Sequence, residues 1–351
     1  MSGSRPEASR LRPDNFTPPA RTPWGGQKIR RHYKRGLGLG EGPPVGESWE
    51  VSVEPSFPSR LESGPPLTNV IAAAPEAWLG PEEAKRRGQT PLLVKLLDAA
   101  DDLSLQVHPQ DGDPALAPDE SGKPEAWIVL EAEAGAGLYL GFREGVARDR
   151  VEEALATGGR LDALMNFVPV TAGDRFVIDA GTPHAIGRGL TLLEPQFVAP
   201  GKRGVTYRYW DWNRRYDAAG NRDPAGTPRA LHVARSLAVT CWDAPRGASF
   251  VASCRPVTTT LYEEHHVVRE RLVAGPWFEV ERWRGNGALD IDPSPTMWAI
   301  VCTEGMASLS FGAATALTLR RGQSAVVPAF AAQDVVAELG PGTLFAVRTP
   351  A

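Results

Sequence analysis

The apolar residues of this chain fall in short runs, most of them rich in β-branched and aromatic side chains. Ser48–Val53, Trp127–Leu130, Arg175–Ile178, Leu190–Leu193, Phe278–Trp283, Met297–Cys302 and Ser324–Val327 read as strands. The 36 glycines and 32 prolines are spread between these runs rather than gathered in one place. Many short strands joined by turn residues point to a mainly β chain built from barrels or double-sheet jelly rolls. Helical signals are few. Pro81-Glu-Glu-Ala after Gly80 places proline at a first helical position with acids in the first turn. Val146–Met165 carries an apolar face that the Gly158-Gly159 pair interrupts, which predicts a small helical insertion over about 143–166.

At 351 residues the chain is long enough for two domains. A short internal match supports that division. Val170 to Ala180 aligns with Leu319 to Ala329, each stretch reading turn, apolar strand, break, and the same offset sets Gln333 opposite His184. The expected organisation is a flexible arm at 1–22 and a first jelly roll at 23–215. A linker follows at 216–229, and a second, degenerate jelly roll without the histidine occupies 230–351. The arm is polar and proline-rich with no apolar core of a signal peptide, and no apolar run reaches the length of a membrane span.

Lys plus Arg total 38 and Asp plus Glu 42, a net charge of −4, which argues against a nucleic-acid binder. A small anionic substrate is not excluded, because a pocket can be basic while the whole chain is not. Three distant cysteines, Cys241, Cys254 and Cys302, form neither a disulfide framework nor a zinc-finger spacing, so a reducing, cytoplasmic setting is expected.

Two of the six histidines sit in contexts with a chemical meaning. In Leu103-Ser-Leu-Gln-Val-His108, strand alternation puts Ser104, Gln106 and His108 on one face and three apolar residues on the other. In Gly173-Asp174 through Gly181-Thr-Pro-His184, a turn glycine leads through an apolar strand to a second histidine. Between them lies Gly122-Lys-Pro-Glu125, a carboxylate at the start of a strand. Two imidazoles, a carboxylate and an amide oxygen make a borderline N/O donor set that suits Zn²⁺, with Mn²⁺ or Fe²⁺ as alternatives. Each residue alone is more simply a core or surface group, and the joint pattern carries the reading. His232 and the His265-His266 pair have no such context and read as surface or structural groups.

These residues resemble a known family. Trp24-Gly-Gly, Gly46-Glu-Ser-Trp-Glu50, Pro91-Leu-Leu-Val-Lys95, Leu103 to Pro109, Gly122 to Glu125, Gly181 to Gly187, Leu193-Glu194 and Thr206-Tyr-Arg208 occur in the order seen in type I mannose-6-phosphate isomerases of the short bacterial form, members of the cupin superfamily. The resemblance runs from Trp24 to Arg214. It implies a fold of two jelly-roll (cupin) barrels and one zinc ion per chain on Gln106, His108, Glu125 and His184. It also implies a catalytic arginine at Arg208 and active-site roles for Lys123 and Glu194. Two departures bear on the pocket's shape and substrate range: the stretch from Glu194 to Arg208 is long, and Trp210-Asp-Trp-Asn is bulky.

The implied reaction interconverts mannose 6-phosphate and fructose 6-phosphate by proton transfer through an enediolate. In it Arg208 would stabilise developing negative charge. Glu194 would be the base, with Lys123 a competing candidate or a holder of a substrate oxygen. The substrate-binding set is Ser104, Lys123 and Arg208; the arginine-rich patch of Arg203, Arg208, Arg214 and Arg215 is an alternative source of the phosphate contacts, with Ser104 a weaker candidate. A non-catalytic sugar-binding regulatory cupin is the alternative, and an iron oxygenase a more distant one. The expected partner is a small sugar phosphate, with no nucleic acid or membrane partner, and the expected state is a monomer.

Overall fold

A computed structural model describes residues 6–312 and 316–350. The chain opens with β1 (Ser9–Arg10) and β2 (Glu47–Val51), followed by three short helices, α1 (Leu67–Ala73), α2 (Pro75–Leu79) and α3 (Pro81–Arg87). Next come β3 (Leu92–Ala99), β4 (Leu105–Val107), β5 (Glu120–Ser121), β6 (Glu125–Ala132) and β7 (Gly137–Phe142). The helical insertion is α4 (Arg148–Ala156) and a 3₁₀ turn at Leu161–Leu164. Then follow β8 (Met165–Pro169), β9 (Arg175–Ile178), β10 (His184–Ile186), β11 (Leu190–Phe197), β12 (Arg203–Gly204) and β13 (Tyr207–Trp210).

Two five-stranded sheets, β13-β4-β10-β7-β8 and β2-β3-β11-β6-β9, face each other and form the first jelly roll. The second sheet is buried on both faces, and its sequence shows it. On β3, Val94 and Leu96 point outward into a core shared with the second barrel, Leu97 and Ala99 fill the interior of the first, and Lys95 and Asp98 are the two charges of the strand. On β6 and β11 the same alternation sends Ala126, Ile128 and Leu193 outward. It leaves Glu125, Trp127, Glu194 and Gln196 facing inward, toward the strands that carry Gln106 and His184.

After two helices, α5 (Val233–Val239) and α6 (Gly247–Ser253), the second barrel is built from β14 (Thr259–Glu264), β15 (Val267–Ala274), β16 (Glu279–Ile291), β17 (Trp298–Glu304), β18 (Met306–Phe311), β19 (Leu317–Arg320), β20 (Ser324–Val327) and β21 (Val335–Arg348). The long pair β16 and β21 shifts register between Gly285 and Gly287. On either side of that shift β21 changes its other neighbour, from β17 to β18, so one hydrogen-bonded sheet folds over on itself. Gly285 has φ +133°, and a Cβ there would lie 2.0 Å from the His266 carbonyl oxygen, so the bend requires glycine.

β9 and β20 begin and end at the residues the internal match pairs. In the second barrel Gln333 donates to the carbonyls of Ser294 and Ala329 and faces no carboxylate–histidine group. There Glu281, with the indole of Trp283 on it at 2.9 Å, takes both bonds of the Arg269 fork. The cation in that interior is a side chain of the protein itself.

Two stretches differ from the sequence reading. The arm is not loose over its described residues: Ser9 and Arg10 pair with Val326 and Ala325, and Leu11, Thr17 and Thr22 are buried. Residues 1–5 lie outside the described part. The expected second domain starts at 230, yet α5 packs on β13 and β4, and α6 on β7 and β8, so both helices belong physically to the first barrel.

Candidate metal centre and active site

His108 follows β4, and His184 opens β10 on the neighbouring strand. Both rings are buried, with centroids 4.8 Å apart. Each ring has its Nδ1 committed. That of His108 lies 2.9 Å from the Val205 carbonyl oxygen, and that of His184 lies 2.8 Å from the Thr182 carbonyl oxygen. A carbonyl only accepts, so Nδ1 carries the proton in each ring and Nε2 offers a lone pair. Burial holds both histidines below their ordinary range, His184 down to about 3, so both are neutral.

Those lone pairs converge on Glu125. Its Oε1 is 2.8 Å from His108 Nε2, and its Oε2 is 4.0 Å from His184 Nε2. A neutral imidazole lone pair facing a carboxylate oxygen is repulsive unless a cation lies between them, and His108 Nε2 has no hydrogen-bond donor of its own. Burial alone would raise the Glu125 carboxyl. Lys123 at 3.1 Å counters it, and Glu125 is held well below the usual range. Ligand atoms of His108, Glu125 and His184 all lie within 4.8 Å of one another, the one such group among the described residues. The donor set and the two directed lone pairs fit a divalent metal.

Gln106 completes the set across the β4–β10 pairing, its Nε2 3.3 Å from His184 Nε2. Turning the amide over would present Oε1 to the metal and the NH₂ to Ser104 Oγ, which now donates to that oxygen at 3.3 Å.

On the facing sheet, Glu194 is buried on β11. Burial first, then the Glu125 charge, raises its carboxyl to about 8. The Trp127 indole donates to Glu194 Oε1 at 3.0 Å and to Glu125 Oε2 at 3.2 Å, so one ring positions both carboxylates. Gln196 donates to Glu125 Oε1 at 2.6 Å. Lys95 lies 3.4 Å from Glu194 and 3.7 Å from Glu47 Oε2, which also accepts from the Trp49 indole at 2.7 Å. The pairing β2–β3–β11 puts Trp49, Lys95 and Glu194 side by side.

Arg208, on β13 opposite Gln106, donates from Nε to Ser104 Oγ at 3.1 Å and from Nη1 to the Ala230 carbonyl at 3.0 Å. Burial, then Arg229, lowers its guanidinium to about 10, which leaves it protonated at neutral pH. One cavity of about 570 Å³ is lined by Ser104, Gln106, Lys123, Glu125, Glu194 and Arg208 together, with both histidines beneath it.

The structure brings Ser104, Gln106, Lys123, Glu125, Glu194 and Arg208 to one cavity, beside the two histidines. Of the arginine patch, Arg203 and Arg208 line that cavity, and Arg214 and Arg215 do not. Arg214 is buried against Asp211, Arg215 bonds the Gly226 carbonyl away from the cavity, and Arg203 is paired with Asp119 and Glu120. Lys95, Glu47, Trp127, Gln196 and His232 line or support the site without having been singled out. For Lys95 a signal existed, the single charge in Leu92-Leu-Val-Lys-Leu-Leu97.

A jelly roll with two histidines and a glutamate between its sheets, beside a carboxyl raised toward neutral pH, defines a metal-dependent cupin enzyme. Residues 20–139 match the family model of the phosphomannose isomerase type I catalytic domain. The mannose-6-phosphate isomerase of Streptococcus mutans is 30% identical over 311 residues, covering 87% of this chain and 88% of that protein. The crystal structure of the Bacillus subtilis mannose 6-phosphate isomerase superposes with a TM-score of 0.80 at 24% identity, over 97% of this chain and 99% of that one. The Salmonella typhimurium enzyme bound to fructose 6-phosphate and zinc superposes with a TM-score of 0.70 at 19% identity, over 99% of this chain and 100% of that one. The chain belongs to the mannose-6-phosphate isomerase family.

Proposed function

We propose that this protein interconverts mannose 6-phosphate and fructose 6-phosphate, with one zinc ion held by His108, Glu125, His184 and Gln106. The observation that carries the reading is the pair of buried, neutral imidazoles whose Nε2 lone pairs are aimed at one carboxylate. A zinc ion held there would supply Lewis acidity at the reacting end of the sugar. Every other step falls to the chain's own groups. Glu194 takes the C2 proton and returns it at C1; its raised carboxyl suits a base that must accept and release a proton near neutral pH. Arg208, held by Ser104 and Ala230, presents its remaining N–H groups where the enediolate charge develops. Lys123 holds a substrate oxygen, and its tie to Glu125 fixes where it points.

Family membership and the raised carboxyl both speak against a non-catalytic sugar-binding cupin, which has no use for a tuned base. The partner is a small sugar phosphate. Among the described residues no helix is long and apolar enough to cross a membrane. We further infer a monomeric enzyme of a reducing, cytoplasmic setting, which its free cysteines suit. The test is a coupled assay of fructose 6-phosphate formed from mannose 6-phosphate, with and without chelator. Turnover that chelator abolishes and zinc restores supports the reading; no turnover in a zinc-loaded preparation would refute it.

A further inference from the structure

The cations that line the cavity divide by whether a carboxylate already neutralises them. Lys95 is paired with Glu47 and Glu194, Lys123 with Glu125, Arg203 with Asp119 and Glu120, and Arg229 with Asp211. Among the described residues, three remain without a carboxylate at ion-pair distance: Arg21, Arg208 and Arg235. Arg21 sits over the Trp49 ring at 4.7 Å, on the wall that carries Glu47, whose carboxyl it helps to hold down. The other two share the opposite wall, where no lining acid is left unpaired: Glu120 is taken by Arg203.

Arg235, on α5, is exposed at the lip. Its Nη1 donates to the Ala115 carbonyl at 2.8 Å, and its guanidinium lies 6.0 Å from the Tyr207 ring. Held by a carbonyl rather than a carboxylate, it is positioned without being neutralised. His232 is tied to the Arg208 backbone and, like Arg235, lies beside the Tyr207 ring. The backbone N–H of His232 donates to the Arg208 carbonyl at 2.7 Å, and the Arg208 N–H donates back to His232 Nδ1 at 3.2 Å. Because Nδ1 accepts, the proton of the neutral ring is on Nε2. The ring therefore keeps one N–H donor free of the backbone, and it too lines the cavity, 6.0 Å from the Tyr207 ring.

We propose that His232 and Arg235 form the phosphate subsite of this enzyme, with Arg208 between them and the metal centre. The inference rests on the sugar-phosphate reading above. In such a substrate the reacting carbons and the phosphate lie at opposite ends of a six-carbon chain. The cavity has the matching polarity, with buried Glu125 and Glu194 at one end and the half-exposed His232 and exposed Arg235 at the other. A guanidinium fork and a neutral imidazole N–H are both suited to phosphate oxygens, and neither must shed a carboxylate first. The proposed subsite lies outside the arginine-rich patch, on the N-cap residue and the first turn of the helix after the linker.

The test measures inorganic phosphate binding by calorimetry on metal-free protein, and KM and kcat for mannose 6-phosphate on zinc-loaded protein. Arg235→Ala is the main variant because Arg235 is exposed and its removal spares the core. Loss of one charge-assisted contact should weaken phosphate binding about tenfold or more and raise KM by a similar factor, with kcat kept. Arg235→Lys should recover most of the affinity, and His232→Ala should weaken phosphate binding in the same direction. Unchanged phosphate affinity and KM in Arg235→Ala would overturn the proposal, as would a loss confined to kcat. The two readings fail separately. Wild-type protein that binds phosphate through Arg235 yet forms no fructose 6-phosphate refutes the isomerase alone. Wild-type turnover with phosphate affinity indifferent to both substitutions refutes the subsite alone.

Discussion

Replacing Lys95 by methionine removes the one cation buried between Glu47 and Glu194 while keeping the length of the side chain. Lys95 sits 3.7 Å from the first and 3.4 Å from the second. The two carboxylates respond at different pH. Glu47 is held below its ordinary range because Lys95 and the Trp49 indole outweigh its burial. Without Lys95 its folded carboxyl rises, so the stability it contributes is lost once the pH exceeds its present, lowered value. Glu194 is already raised to about 8 and is largely protonated at neutral pH in both proteins. Its share of the loss appears only above about pH 8, where the wild type ionises it beside Lys95 and the variant cannot. Breaking a buried pair by removing one partner costs about 3–5 kcal/mol. The expected loss is therefore smallest near pH 4.5, about 3 kcal/mol at pH 7 through Glu47, and larger at pH 9 when Glu194 joins. Denaturant unfolding at the three pH values, with chelator present throughout, measures it. Adding Glu47→Gln to Lys95→Met should recover most of the loss at pH 7. A variant as stable as wild type at pH 7, or one whose loss does not change with pH, refutes this electrostatic account.

Arg208→Ala should lower kcat and kcat/KM together by about 10²–10³-fold, the scale of removing one oxyanion donor, with metal content unchanged. Arg208→Lys should restore little, and an effect on KM alone would move Arg208 to phosphate binding. Wild-type kcat should rise with pH through the titration of a carboxyl above the ordinary glutamate range, because the base must lose its proton and burial raises it. Glu194→Gln should cost about 10²–10⁴-fold and abolish that limb, and a variant that keeps the limb would show that another group is the base. Elemental analysis should find one metal per chain, unaffected by Gln333→Ala; a second tightly bound metal lost with Gln333 contradicts a structural second barrel.

What was legible in the sequence was local. Arg175–Ile178 and Ser324–Val327 could be bounded to the residue because turn glycines precede them and a break in pattern follows. Ser104, Gln106 and His108 could be put on one face because strand alternation needs only neighbours. Glu125 could be placed at the start of a strand, while Glu194 came only with the family that the order of the short stretches pointed to. What was not legible depends on pairing across the fold. Lys95 acquires its partners only when β2, β3 and β11 come into register. His232 lacked context because its partner is the Arg208 backbone, 24 residues away. The arm read as loose because it docks through backbone hydrogen bonds to β20, more than three hundred residues on, a contact that composition cannot signal. The docking of α5 and α6 on the first barrel was hidden for the same reason, since both follow a linker-like stretch.

The most direct test of the central claim follows metal and turnover together. Protein is stripped with chelator and reloaded with zinc in steps, and fructose 6-phosphate formation is measured against bound metal at each step. The account predicts activity proportional to metal, saturating at one equivalent per chain, and a His184→Ala protein that neither retains the metal nor turns over. Full activity in a preparation shown to be metal-free would contradict it.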